Sequence, residues 1–173
     1  MRSLEEKLGY TFDNPALLEN ALTHSSCANE SRGKLQSNER LEFLGDAVLE
    51  LAVSRHLFFE LPEVDEGKLT RIRAAMVREE TLCRAAKRIG LGGYIRLSVG
   101  DERSGGRNKP SILADVMEAV LAAVYLDGGF ECAVKVVRDV LGEELNPKTL
   151  EDHLDAKSRL QELLQRDGGA CFF

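Results

Sequence analysis

The stretch Asn38-Glu39-Arg40-Leu41-Glu42-Phe43-Leu44-Gly45-Asp46, NERLEFLGD, opens the segment that decides the fold. Asn38 is a helix-capping residue type, and apolar residues then recur at helical spacing to about Phe59. At about 100° per residue, Glu39, Glu42 and Asp46 fall within about 60° of one another. They form a single acidic stripe. Leu41, Leu44, Val48, Leu51 and Ala52 cover the opposite side, and Phe43, Leu49 and Val53 flank the stripe. An ordinary surface helix has a broad polar face; this one has a narrow acidic strip in apolar surroundings.

A second segment repeats the anomaly more sharply. Between Ser111 and Leu126 the only charged residues are Asp115 and Glu118, one helical turn apart. Ile112, Leu113, Val116, Met117, Val120, Leu121 and Val124 make the rest a buried helix. An unpaired buried carboxylate costs several kcal/mol, so it needs a cation, a donor network or a metal. Four carboxylates converging from two helices repel one another unless something positive sits among them. Oxygen ligands without His or Cys suit a hard ion such as Mg²⁺ or Mn²⁺. Mg²⁺ held by carboxylates, water and phosphate oxygens makes phosphoryl transfer the natural chemistry. The competing explanation is internal ion pairing, with Arg40, Arg55, Arg71 and Arg73 as available partners. The residues alone thus point to a metal-dependent hydrolase whose substrate stays open.

Outward from these segments, helical periodicity dominates and strand patterns are scarce. Short helices are expected at residues 4–8 and from Pro15 to about His24, the latter capped by Asn14. Residues 28–37 read as a polar loop. Further helices are expected at residues 67–77 and 79–89, the second ending at Gly90. Residues 91–107, rich in glycine and charge, read as an irregular loop. Ser111 is expected to cap the second acidic helix, with Gly128-Gly129 ending it and another helix over residues 130–145. The fold class is all-α, a bundle of about seven to nine helices.

The bulk properties fit one soluble domain. The chain has 173 residues, 43% hydrophobic and 30% charged, enough to bury a sizeable core. Its net charge of -6 argues against a simple basic coat for nucleic acid, although metal-binding carboxylates contribute to that figure. Cys27, Cys83, Cys132 and Cys171 lack zinc-site spacing and read as free thiols of a reducing compartment. The start, MRSLEEKLGY, has no signal-peptide core, and no run is long and apolar enough for a membrane span. A cytoplasmic protein is expected.

The nine residues NERLEFLGD resemble the signature of the ribonuclease III family. The resemblance continues upstream through Leu8-Gly9-Tyr10, Phe12 and Ala21-Leu22-Thr23-His24-Ser25-Ser26. Downstream it takes in Asp65-Glu66-Gly67, residues 71–77, Gly105-Gly106, and Ile112-Leu113-Ala114-Asp115 with Glu118-Ala119. It covers roughly residues 4–141. The resemblance implies a homodimeric endonuclease-domain helical bundle that cleaves double-stranded RNA. It implies that Glu42, Asp46, Asp115 and Glu118 bind the metal, with Asp46 and Glu118 foremost in catalysis. Glu39 and Glu66 match acidic positions of the RNA-cleaving cleft. Products with 5′-phosphate and 3′-hydroxyl ends and short 3′ overhangs are implied, as is processing of ribosomal RNA precursors, structured messenger RNA and transfer RNA. The rival within the family is a catalytically silent member acting as an RNA-binding structural component. Such proteins usually lose acidic ligands, and here all four remain.

Other residues carry weaker expectations. Lys68, Arg71, Arg73, Arg107 and Lys109 are candidate phosphate contacts, with a solvated surface as the alternative. His24 is expected to cap a helix or join a hydrogen-bonding cluster rather than to catalyse. Phe43 and Leu49, beside the acidic stripe, fit either a dimer surface or core packing. Residues 1–148 are expected to form the nuclease domain, and 149–173 a linker with the partial first helix of a double-stranded RNA-binding domain. That helix is Ala156-Lys157-Ser158-Arg159-Leu160-Gln161-Glu162-Leu163-Leu164-Gln165.

Overall fold

The computed structural model describes residues 2–145. Among these, the chain forms nine α-helices and no strand: α1 (Arg2–Leu8), α2 (Pro15–Ala21), α3 (Ser25–Glu30), α4 (Glu39–Glu60), α5 (Glu66–Met76), α6 (Glu79–Arg88), α7 (Val99–Arg103), α8 (Pro110–Gly128) and α9 (Phe130–Leu141). The all-α reading therefore holds. The RNA-binding-domain helix expected at residues 156–165 lies outside the described residues.

Local chemistry explains most of the helix starts. Asn14 accepts from the Ala16 amide through its side chain, and Pro15 occupies the first turn of α2. Asp65 accepts from the Lys68 amide and starts α5. His24 caps α3, its Nδ1 accepting from the Ser26 amide. That short helix stands where the sequence reads as a helix end followed by loop. The 91–107 segment is likewise more ordered than expected. Two short 3-10 turns, Leu91–Tyr94 and Gly106–Asn108, flank α7, which Ser98 caps.

Two expected caps fail. Ser111 lies inside α8; Lys109 takes the cap position and Pro110 the first turn, where its missing N–H costs nothing. Asn38 precedes α4 but is itself helical (φ -77°, ψ -7°) and makes no capping bond with its side chain. Its amide nitrogen is buried without a partner, and its backbone N–H instead donates to the Thr23 carbonyl.

The bundle is assembled around α8. Eleven of its residues are buried, Ile112 to Val124 with the exceptions of Asp115 and Glu118, and α2, α4, α6 and α9 pack against it. Each large apolar side chain buried this way contributes about 1.5–3 kcal/mol before entropy is charged against it. The α4 helix divides its apolar residues between inside and outside. Leu49 and Val53 are fully buried, whereas Phe43 is 84% exposed and Leu51 57%. Leu51, on the side opposite the acidic stripe with the buried Leu41, Val48 and Ala52, is thus itself exposed. On a helix of 22 residues that meets α5, α8 and α9 in turn, the buried face is not one straight stripe.

Residues 22–26 tie the two ends of the site together. The Arg96 amide donates to the Leu22 carbonyl and the His24 amide to the Arg96 carbonyl, forming one isolated parallel bridge. The Ser98 amide donates to the Ser26 hydroxyl. This small knot joins the start of α4 to the loop that leads into α8.

Candidate active site

Glu42 and Asp46 project from α4, Asp115 and Glu118 from α8. The two helices make the most extensive contact in the bundle. Glu42, Asp115 and Glu118 are half-buried, and Asp46 is exposed at the rim. Among the described residues none of the four carboxylates makes a hydrogen bond or an ion pair. The Arg and Lys partners that would have made them structural are engaged or lie elsewhere. Arg55 pairs with Glu131 at 2.6 Å, and Arg73 donates to the Ser54 hydroxyl.

The electrostatics follow from that isolation. Burial first, then the charges of Asp46, Asp115 and Glu42, push the Glu118 carboxyl up to about 8. Burial, followed by Asp115, Glu39 and Asp46, also raises Glu42. Asp115 is raised by burial; His24 pulls it back down and Glu79 adds to the rise. The four sequence candidates therefore share one electrostatic environment, as three of them report directly. They do not yet meet at one point: among the described residues no three Asp, Glu, His or Cys side chains form a ready ligand cage.

The other candidates are placed differently. Glu39 is exposed, accepts from the Ser37 hydroxyl at 2.8 Å and acts on Glu42. Glu66 opens α5, accepts from the Thr70 hydroxyl, and is not among the charges acting on the cluster. Lys68 pairs with Asp65 at 3.2 Å and Lys109 with Asp101 at 3.7 Å. Arg107 is held within its own loop by Glu102 and the carbonyls of Gly92 and Ile95. Arg71 is exposed. His24 and Glu79, which act on Asp115, were not foreseen as neighbours of the cluster. His24 also contacts Ser26 at 2.9 Å and Asp101 at 3.8 Å. His24 stands at the start of α3 and Glu79 at the start of α6, which packs against α8, and no spacing in the sequence signals that either reaches Asp115.

The comparisons with known proteins agree with this architecture. The family model described as Ribonuclease-III-like matches residues 14–145. The chain belongs to the ribonuclease III family. It is 48% identical to Ribonuclease 3 of Bacillus cytotoxicus over 168 residues, 96% of this chain and 69% of that protein. It is 49% identical to Ribonuclease 3 of Enterococcus faecalis over 166 residues, covering 95% and 72%. Among solved structures, the nuclease domain of ribonuclease III from Campylobacter jejuni superimposes with a TM-score of 0.76 at 42% identity, covering 83% of this chain and 94% of that one. Another structure of that domain, with the same score and identity, covers 82% and 96%, and concerns flexibility in a region involved in its dimer formation. Dicer from Pichia stipitis is more distant, with a TM-score of 0.57 and 25% identity over 83% of this chain and 60% of its own. Ribonuclease III membership makes this chain an endoribonuclease. Among the described residues no helix is long and apolar enough to cross a membrane.

Proposed function

We propose that this chain hydrolyses double-stranded RNA with divalent metal ions, Mg²⁺ first and Mn²⁺ as a substitute. The observation that carries the reading is the unpaired carboxylate cluster on α4 and α8. The chain supplies no cation to these carboxylates, and burial with their mutual repulsion pushes Glu118 up to about 8, a pattern that clusters at functional sites. The donor set fits the ion. It is all oxygen, and Mg²⁺ keeps several waters and needs only one or two direct carboxylates, so a preformed cage is not required. Glu42, Asp46, Asp115 and Glu118 would hold it. When bound, the ion would polarise a phosphate oxygen and supply a nucleophile at neutral pH.

The chain's own groups have distinct parts in that scheme. Asp46, at the exposed rim, is the carboxylate that meets incoming phosphate and solvent. Glu118, deeper between the helices, would hold the ion from the core side. Glu39 adds charge to Glu42 from the outer edge. Glu66 takes the role of a cleft residue away from the cluster. Arg71 and, after release from their present partners, Lys68, Arg73, Arg107 and Lys109 serve the RNA backbone.

The remaining expectations rest on the family. Two copies work as a homodimer, each cutting one strand, which leaves 5′-phosphate and 3′-hydroxyl ends with short 3′ overhangs. The exposed Phe43, at 84%, favours a second copy over core packing for that side chain. Substrates are ribosomal RNA precursors and structured messenger and transfer RNA, in the cytoplasm. The silent-member alternative is disfavoured because all four carboxylates are present and none has been given a structural cation.

The test is incubation of the purified chain with long, perfectly paired RNA at low salt. Mg²⁺-dependent cutting into short duplexes, lost with chelator and with Glu118→Gln, is expected. No cutting by the wild-type chain, even at high enzyme concentration with Mn²⁺, overturns the reading.

A further inference from the structure

Away from the carboxylate cluster, the second half of α4 and the helix α9 border a groove with a cavity of about 220 Å³. Its apolar lining is Ala52 from α4 with Val134 and Val137 from α9. Ala52 stands six positions beyond Asp46, roughly 9 Å along the helix and about 120° around it, so the groove is separate from the candidate active site. Phe59 also lines it and is 69% exposed, so a group seated there would bury aromatic surface. The charged lining residues are Arg55, Arg138 and Glu60. Arg55 is already held by Glu131, whereas Arg138 makes no hydrogen bond or ion pair among the described residues.

The chain itself leads to this groove. Leu145, the last of the described residues, forms part of its lining. The Leu145 amide donates to the Leu141 carbonyl, and the Leu145 carbonyl lies 3.3 Å from His56 Nε2, so α4 holds this end of the chain. Pro147 comes two positions later. Proline lacks the N–H that a continuing helix needs and disfavours helical backbone at the residue before it, so the sequence does not favour a straight extension of α9 past the groove. Lys148-Thr149-Leu150-Glu151-Asp152-His153-Leu154-Asp155 follows, with two leucines four positions apart among three acids. That chemistry complements the lining: leucine for the apolar part, acid for the unpaired Arg138, and Lys148 for Glu60. The five residues from Leu145 to Leu150 span at most about 17 Å when extended, so the tether reaches. A short tether also gives an effective concentration on the order of millimolar, so modest contacts hold this segment where a free partner would need stronger ones. We propose that the α4–α9 groove is the docking site of the chain's own residues 148–155, with Leu150 and Leu154 on the apolar lining and the acids toward Arg138. Docking there fixes the direction in which the following residues leave the helical domain. The inference does not rest on the metal reading.

The test is hydrogen–deuterium exchange of the full chain, read by mass spectrometry over residues 148–155. The variants are Arg138→Glu, Phe59→Ser, and Arg138→Glu combined with Glu151→Arg and Asp152→Arg. Arg138 and Phe59 are exposed, so neither substitution opens the core, and exchange within α9 checks that the fold is kept. The segment's amides should exchange about tenfold or more slower than an unstructured chain, and each single variant should speed them by about threefold or more. The combined variant, with the charges exchanged, should restore protection. A wild-type segment without protection overturns the proposal. So does protection that either single variant leaves unchanged, which is local structure without docking, and so does a loss that the exchanged charges do not restore. Protection that appears only as protein concentration rises assigns the groove to a second copy and overturns it as well.

Discussion

Glu118 and Glu144 are both glutamates withdrawn from water, and the fold treats them in opposite ways. Glu144 is 8% exposed, and its carboxylate accepts from both terminal nitrogens of Arg88, at 3.2 and 3.0 Å, with Arg84 at 3.8 Å. Arg88 also donates to the Val140 carbonyl, so α6 and the end of α9 are pinned by one guanidinium. Those hydrogen bonds, then burial working against them and the nearby charge, raise the Arg88 pKa further. Glu118 has no such partner and lies among three other carboxylates. A buried charge that the fold intends to keep receives its cation from the chain. A buried carboxyl left without one holds its proton instead, as Glu118, raised to about 8, does in the metal-free fold. Charge and burial alone do not separate the two; the presence of an arginine does.

The comparison is broken most directly by exchanging the consequences of the two sites. Glu118→Gln should lower RNA cleavage by about 1,000-fold, on the scale of losing a key electrostatic group, while the circular dichroism spectrum is unchanged. Glu144→Gln should do the reverse. It removes the main acceptor of Arg88, which keeps the Val140 carbonyl and Glu143 at 3.6 Å, so it should cost about 1–2 kcal/mol in urea unfolding, with cleavage per folded molecule unaffected. Cleavage loss without stability loss in Glu144→Gln would mean the two sites are not separate.

The sign of pH dependence sharpens it further. The Glu118 carboxyl is raised above its unfolded value of 4.5, to about 8, so the folded chain holds the proton more tightly than the unfolded one. The metal-free fold is therefore most stable, as far as this group decides, below about pH 4.5, and loses that stability as pH rises to about 8. The side chain is part exposed, and solvent screening reduces the effect to about 1–2 kcal/mol. Thermal melts of metal-free protein at several pH values should show this slope. Glu118→Gln should flatten it and melt higher at pH 8, and Mg²⁺ should raise the wild-type melting temperature while barely moving the variant's.

The smallest effect concerns a partly exposed carboxylate that the fold does supply with donors. Asp127 accepts from the Tyr10 hydroxyl and the amides of Asp13 and Asn14, all at 2.8–2.9 Å. Burial pulls its pKa upward, but these donors together hold it below the usual value. Its contribution is therefore present at neutral pH and lost as pH falls below about 3.8. Asp127→Ala should cost about 1 kcal/mol at pH 7 and nothing for cleavage. A larger cost would mean that the α1–α2 turn matters more to the bundle than its exposure indicates.

Much of this protein was legible without coordinates. Helical periodicity is set by nearest neighbours along the chain, so α4, α6 and α8 appear within a few residues of where the apolar pattern places them. The four carboxylates stand out because an apolar helix cannot carry acid without cause, and that is a statement about composition on one face. What resisted reading was whatever depends on the partner across a gap. Asn38 looks like a cap but spends its backbone on Thr23 and leaves its side-chain amide buried without a partner. Leu51 belongs to the apolar pattern yet faces out. His24 and Glu79 reach Asp115 only through packing. Glycine at position 45 is visible in the sequence, but a missing side chain has no meaning until the neighbour that needs the space, the Glu118 backbone, is known. Sequence by itself determined the helices, the acid and the family, because those are local or inherited as motifs. Tertiary structure alone decided which carboxylates lack a cation and how close the two helices come, because both are properties of distance between segments far apart in the chain.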